Sequence, residues 1–306
     1  MIILSFFLIP VIIFLIIKLV FYFRKKKLLT QYYNNAVLFL DSEKFEELIE
    51  YSYKMLKLFP ENFHIHYYLA TSYAYLNDPE NAVPHIEKSL AINSKFSDAH
   101  YTYGYISNFL LGKPDQAVEH LQMAISLNSS NENYYNTLSA AYSELNRFDD
   151  AEAAVENALK INPDFIDGLN NKGVIQLKKG KIFDAIKTFK HACGINGSDS
   201  ELLCNLGNAY SIAQEYDDAV KCFNSALKYK EDSYIYYWLG SAEYLSGKTS
   251  DAVNHFNKSI ELDPNNAHSY YLLALIYQKN GDTASAKLHW DKALAIDPEI
   301  KNKVII

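Results

Sequence analysis

The sequence predicts an all-α protein, with an apolar N-terminal helix followed by a stack of helical hairpins. Three observations carry that prediction. Glycine (11) and proline (8) are scarce in 306 residues, which suits helices joined by short turns better than a many-stranded sheet. Residues 2–23 form an almost unbroken apolar run. From residue 29 onward the chain is self-similar at a period of about 34 residues.

The apolar run is interrupted only by Ser5, Pro10 and Lys18. As a helix its 22 residues rise roughly 33 Å, enough to cross a bilayer core of about 30 Å. Lys18 lies near one end, within reach of the headgroups, and a proline is tolerated in such helices. Arg24, Lys25, Lys26 and Lys27 follow at once, whereas the preceding flank has no basic side chain. The positive-inside rule then places the remainder of the chain on the cytoplasmic side. A cleaved signal peptide would carry its basic residues before the run and a small-residue cleavage site after it; neither is present. A buried soluble helix is the third alternative, disfavoured because the run has no polar face. The expected organisation is a transmembrane anchor over 1–23, a basic juxtamembrane linker over 24–28 and the repeats over 29–306.

Counting from Ser200, Leu203, Leu206, Gly207, Tyr210, Ala219, Phe223 and Ala226 fall at positions 4, 7, 8, 11, 20, 24 and 27 of one repeat. The repeat from Ala267 places Tyr270, Leu273, Ala274, Tyr277, Ala286, Trp290 and Ala293 in the same register, with Pro298 beyond. That from Glu132 places Tyr135, Leu138, Ser139, Tyr142, Ala151, Val155 and Ala158, then Pro163. Small residues at positions 8 and 20 let two helices cross closely, and large ones at 4, 7, 11 and 24 fill the space toward the next hairpin. Proline near position 32 (Pro60, Pro163, Pro264, Pro298) closes the second helix. No single hairpin buries its apolar face alone, so the hairpins must stack.

Eight repeats are expected, near 29–62, 63–96, 97–131, 132–165, 166–199, 200–232, 233–266 and 267–300. The third is one residue long and the sixth one short, differences expected in turns. The first matches least well, with Asn35 and Ser52 where large apolar residues are usual, and is expected to act as a cap. Residues 300–306 are expected to cap the last hairpin.

This pattern of large and small residues resembles the tetratricopeptide repeat (TPR) family, and the resemblance covers almost everything after the apolar run. It implies a right-handed α-solenoid whose first helices line an inner groove through positions near 2, 5, 6, 9 and 12. Position 5 carries Tyr33, Tyr67, Tyr101, Asn136, Asn170, Cys204, Tyr237 and Tyr271; positions 6 and 9 add Asn34, Asn171, Asn205, Tyr105 and Asn208. The candidate peptide-binding residues are therefore Tyr67, Tyr101, Tyr105, Asn136, Asn170, Asn171, Asn205, Asn208, Tyr237 and Tyr271. An asparagine ladder can bond both the N–H and the C=O of an extended backbone; the alternative is that the tyrosines only pack. Some members of the family hold acidic chaperone tails with a carboxylate clamp that needs lysine at position 5. No repeat here has one, which disfavours that role.

The formal net charge is −7, and removing the five basic residues before residue 28 leaves 24 basic against 36 acidic ones. Such a body lacks the basic face that nucleic acids require. His85, His120, His255 and His289 share position 23, and His66 and His100 share position 4. Side chains that recur with the repeat lie on the order of 10 Å apart, too far to share one metal ion, so a structural role is expected. The acidic pairs Glu46-Glu47, Asp149-Asp150 and Asp217-Asp218 fall where second helices begin, favouring the helix dipole over catalysis. Cys193, Cys204 and Cys222 lack metal or disulfide spacing and read as reduced, partly buried thiols. No motif for a phosphate loop, zinc protease or hydrolase is present. The expectation is a membrane-anchored protein-binding scaffold without catalysis or cofactor, its groove holding a neutral or basic protein segment at the cytoplasmic face. A regulatory or targeting subunit of a membrane enzyme complex is the alternative.

Overall fold

The structure is a computed structural model that describes residues 2–303, with side chains described for 13–301. Among the described residues all regular structure is helical. The first five hairpins are built from α1 (Ile2–Asp41), α2 (Phe45–Leu56), α3 (Phe63–Tyr75), α4 (Pro79–Ile92), α5 (Ser97–Tyr105), α6 (Pro114–Leu127), α7 (Glu132–Glu144), α8 (Phe148–Ile161), α9 (Ile166–Lys178) and α10 (Ile182–Ile195). They are followed by α11 (Ser200–Ile212), α12 (Tyr216–Leu227), α13 (Ser233–Leu245), α14 (Thr249–Leu262), α15 (Ala267–Lys279), α16 (Thr283–Ile296) and the short α17 (Ile300–Lys303). The helices gather into two compact units, Met1–Ser129 and Ser130–Ile306. Within each, a hairpin of two helices packs on the next, which is the arrangement of a TPR solenoid.

Each hairpin turns at position 15, or at 16 in the third repeat with its extra residue. The residue there is left-handed in every repeat: Glu43, Asn77, Gly112, Asn146, Gly180, Gln214, Gly247 and Gly281, with φ between 55° and 86°. The next backbone N–H then reaches back five residues to close the first helix, as in Lys44 to Phe39 and Glu215 to Tyr210, both 2.9 Å. This is the 6→1 bond of a Schellman stop. The residue ahead of the first helix caps it in five repeats, whereas Phe96 and Phe165 form no side-chain cap ahead of α5 and α9. The side chains of Asn62, Asn131, Asp199, Asp232 and Asn266 all accept from backbone N–H groups of the first turn.

The spacing of small and large residues has its expected consequence in the packing. Ala82, Ala151, Ala185, Ala219 and Ala252 at position 20 are fully buried, as are Phe189, Phe223 and Phe256 at position 24. A Cβ added to Gly207 would stand 2.8 Å from the Phe223 ring, and one added to Gly240 would stand 2.9 Å from Phe256. Only glycine admits the ring at that separation.

The extra residue of the third repeat is not taken up in a turn. It lies inside the first helix, where Ile106–Leu110 forms a π-helical turn directly after α5. One added residue rotates the helix by about 100° per position, which would swing the apolar face away from its neighbours. Widening one turn absorbs the residue and restores the phase. In the sixth repeat the second helix is the shorter element, since α12 stops at Leu227, two register positions before α8 and α10 stop, and five residues lead on to Ser233.

At the N-terminus one unbroken helix, α1, runs through the apolar stretch, the basic cluster and the first helix of the first repeat. Ile13 to Phe23 present large apolar side chains outward, and Lys25 lies over the rings of Phe21 and Phe59. Among the described residues no helix is long and apolar enough to cross a membrane. The side chains of 2–12, half of the expected anchor, lie outside those described.

Candidate functional site

In the second unit the first helices α9, α11, α13 and α15 share one groove of about 690 Å³. Its lining follows the repeat register. Position 6 contributes Asn205, Trp238 and Leu272; position 9, Val174, Asn208 and Ser241; positions 12 and 13, Leu177, Lys178, Ser211, Ile212, Tyr244 and Leu245. Three of these apolar side chains face outward from the packed core: Ile212 is 54% exposed, Trp238 38% and Leu245 37%. A second cavity of about 500 Å³ adjoins it, lined by Asp199, Glu201, Lys230 and Asp232, and shares Asn205, Asn208 and Trp238 with the first.

The asparagines bond one another across repeats. Asn171 Nδ2 donates to Asn136 Oδ1 and Asn205 Nδ2 donates to Asn170 Oδ1, both at 2.8 Å. Asn170 Nδ2 in turn donates to Glu201 Oε1 at 3.1 Å. Position 6 of one repeat thus bonds position 5 of the repeat before it. The pattern stops where position 5 becomes Cys204 and position 6 becomes Trp238. The expected free ladder is therefore partly spent on joining hairpins, because an amide carries both donor and acceptor and its nearest equivalent is another amide. Asn208 differs. Its Oδ1 is buried without a partner, in the lining of both cavities.

The tyrosines separate by environment. Tyr237 is 6% exposed and packs 4.8 Å from Trp238, so in the seventh repeat the outward aromatic is the tryptophan. Tyr271 is half-buried against Trp290, with ring centroids 5.3 Å apart. In the first unit Tyr67 lies 5.0 Å from Phe96, while Tyr101 and Tyr105 bound a cavity of about 50 Å³ with Thr71 and Tyr75. Trp238, Leu177, Ile212 and Leu245 were not among the residues singled out from the sequence. Their signal was there in the register, at positions 6, 12 and 13, but as isolated apolar residues in a chain rich in them.

The histidines have closer company than the one-repeat spacing suggested. Positions 4 and 23 of the same repeat face each other, so His66 meets His85 and His100 meets His120, with Nδ1 to Nδ1 3.1 Å in both pairs. The Nε2–H of His66 donates to the Pro60 carbonyl and that of His100 to the Ser94 carbonyl. The Nδ1 of each is consequently the acceptor of its pair. Burial lowers the pKa of His66, His120 and His85, and pushes His85 down to about 4 with His66 adding to the effect. No group of three or more metal-ligating side chains occurs among the described residues.

The acidic pairs lie in the first turns of α2, α8 and α12, and two of their carboxylates tie to lysines one repeat on, Asp149 to Lys179 and Asp217 to Lys248, both at 2.6 Å. All three cysteines are free and partly buried. Burial pushes the thiols of Cys204 and Cys222 up to about 11, so neither is a thiolate at neutral pH.

Models of the tetratricopeptide repeat match residues 132–165, 200–233 and 267–300, and a model described as TPR repeat matches 240–281. The chain carries tetratricopeptide repeats. It is 30% identical over 138 residues to the anaphase-promoting complex subunit CDC16 of Saccharomyces cerevisiae, covering 42% of this chain and 16% of that protein. It is 28% identical over 117 residues to the BBSome complex member BBS4 of Mus musculus, covering 38% of this chain and 22% of that protein. The chain thus spans less than a quarter of either relative. Among solved structures, the APC/C hetero-tetramer Cut9–Hcn1 aligns with a TM-score of 0.65 at 16% identity, over 85% of this chain and 53% of that one. A tetratricopeptide repeat protein from Parabacteroides merdae aligns with a TM-score of 0.61 at 19% identity, over 84% and 96%. At these identities the similarity is one of fold.

Proposed function

We propose that this chain is a protein-binding scaffold whose second unit holds an extended segment of a partner in the groove between α9 and α15. The observation that carries this reading is the groove's lining. Apolar side chains at Ile212, Trp238 and Leu245 stand in solvent beside a buried, unpartnered Asn208 Oδ1. A partner that covers those side chains removes the cost of their exposure, and the Asn208 amide lies beside it. Asn136, Asn170, Asn171 and Asn205 keep part of their amide capacity for the same backbone, and Tyr237 supports Trp238 from beneath. Tyr67, Tyr101 and Tyr105 in the first unit, and Tyr271 in the second, are proposed as further contacts. Membership of multi-subunit complexes by the two relatives named above is consistent with a scaffold.

Two finer features complete the proposal. Residues 2–23 anchor the chain in a membrane with the repeats on the cytoplasmic side, on the strength of the apolar run and the basic cluster that follows it. The segment held is neutral or basic, because the body is acidic. A photo-crosslinking residue placed at Ser241 in the full-length chain tests the groove. It should give adducts that map to one stretch of a partner, whereas the same residue at Lys187 should not. Adducts of equal yield at both sites would remove the groove from consideration. Resistance of the chain to a carbonate wash, with repeats that protease cannot reach from outside, tests the anchor separately.

A further inference from the structure

The two cavities of the second unit lie at opposite ends of the same helices and differ in character. Resting on the groove reading above, we infer that the occupant is a short extended segment that pairs a basic side chain with an apolar anchor about six residues away. The acidic end comes first along the helices. Asp199 and Asp232 precede α11 and α13, and Glu201 lies in the first turn of α11. Lys230 is the one cation beside these three carboxylates in that cavity's lining, and it is already engaged with Asp232 at 3.0 Å.

Helix N-termini would ordinarily favour an anion. Here the N–H groups are taken. Asp199 accepts from Glu201 and Leu202, and Asp232 accepts from Tyr234. What the rim presents outward is therefore excess negative charge. The apolar end lies a full helix away, at Ile212 and Leu245, the last residues of α11 and α13. Thirteen residues of helix rise about 20 Å, which an extended chain covers in about six residues. Asn208 and Trp238 line both cavities, so one segment can run from end to end. Its backbone passes the Asn208 amide midway. Lys178 is the single charged residue lining the apolar cavity, and it disfavours a cation at that end. The basic residue is thereby directed to the Asp199–Asp232 rim.

The test uses the full chain with Trp290→Phe, which leaves Trp238 as its sole tryptophan, so fluorescence reports on the groove. The probes are blocked Gly/Ser peptides of about nine residues, each with a leucine about six residues from a lysine, a glutamine or a glutamate. At an ionic strength of about 0.02 M the lysine peptide should bind at least about tenfold tighter than the glutamate one, a ratio that shrinks as salt is raised. Asp199→Asn, Glu201→Gln and Asp232→Asn together keep both helix caps. They should bring the ratio close to one while leaving the glutamine peptide's affinity unchanged. If that variant does not fold, the salt series on the unaltered rim decides. Equal or reversed affinities for the lysine and glutamate peptides, with the glutamine peptide still bound, overturn this inference and leave the groove reading standing. Absence of any saturable Trp238 response overturns both.

Discussion

Gln214 holds a left-handed backbone, φ 62°, at a turn position where four of the eight repeats have glycine. A side chain in that region costs about 1 kcal/mol relative to glycine. Gln214→Gly should therefore raise the urea midpoint, and Gly180→Ala, at the same register with φ 71°, should lower it by a similar margin. The histidine pairs make a second prediction at this scale. His66, His85 and His120 have depressed pKa values, so the folded state refuses protons that the unfolded state takes up. Stability is then complete above the ordinary value of 6.5 and is lost as pH falls toward about 4. Lys88 near His66 adds to this and Glu61 opposes it, while Glu87 and Glu119 oppose it at His120. Hydrogen exchange corrected for its intrinsic pH dependence should show α3 to α6 opening more readily at acid pH, and His85→Gln should blunt the response. The pairing itself was not legible in the sequence. Both histidines of each pair were visible at positions 4 and 23, but nothing in a linear register says that these two positions face each other.

At the scale of the element, the insertion in the third repeat shows what a count of residues can and cannot give. The count fixes the extra residue but not its place. A turn absorbs an insertion by lengthening, a helix only by a π turn, and the choice depends on which packing face must be kept in phase. Both amide atoms of Asn108 in that turn are buried without partners, a cost the π geometry carries. Deleting Asn108 should restore the regular spacing and reduce thermal stability less than deleting Ser72 from α3, where no extra residue exists. Equal losses in circular dichroism melts would assign the π turn a role beyond accommodating length. The need for small residues at position 8 was, by contrast, readable. Position 8 is small and position 24 aromatic in the fifth, sixth and seventh repeats, and Gly173, Gly207 and Gly240 each sit against the position-24 ring of their own hairpin, a contact the register alone did not assign.

Across the whole molecule, neighbouring hairpins within a unit share their cores, so damage should stay near its source. Gly207→Val drives a branched side chain into Phe223 and should cost about 1–3 kcal/mol, with exchange rising in α11 and α12 and little changed in α3 to α6. The groove follows from the same repetition. The resemblance to the TPR family implied that Asn205, Asn208 and Tyr237 line one groove. It could not tell that the asparagines bond each other, or that Trp238 rather than Tyr237 is the aromatic left in solvent. Binding decides the matter most directly. The affinity of the full chain for the partner segment captured at Ser241 should be measured with Trp238→Ala and Leu245→Ala combined, beside Lys187→Ala and Lys221→Ala on the outer face. The groove pair should lose about 1–3 kcal/mol or more while helical content is kept, and the outer pair should bind as the unaltered chain does. Groove variants that bind as tightly as the outer-face pair would contradict the proposal and place the partner elsewhere.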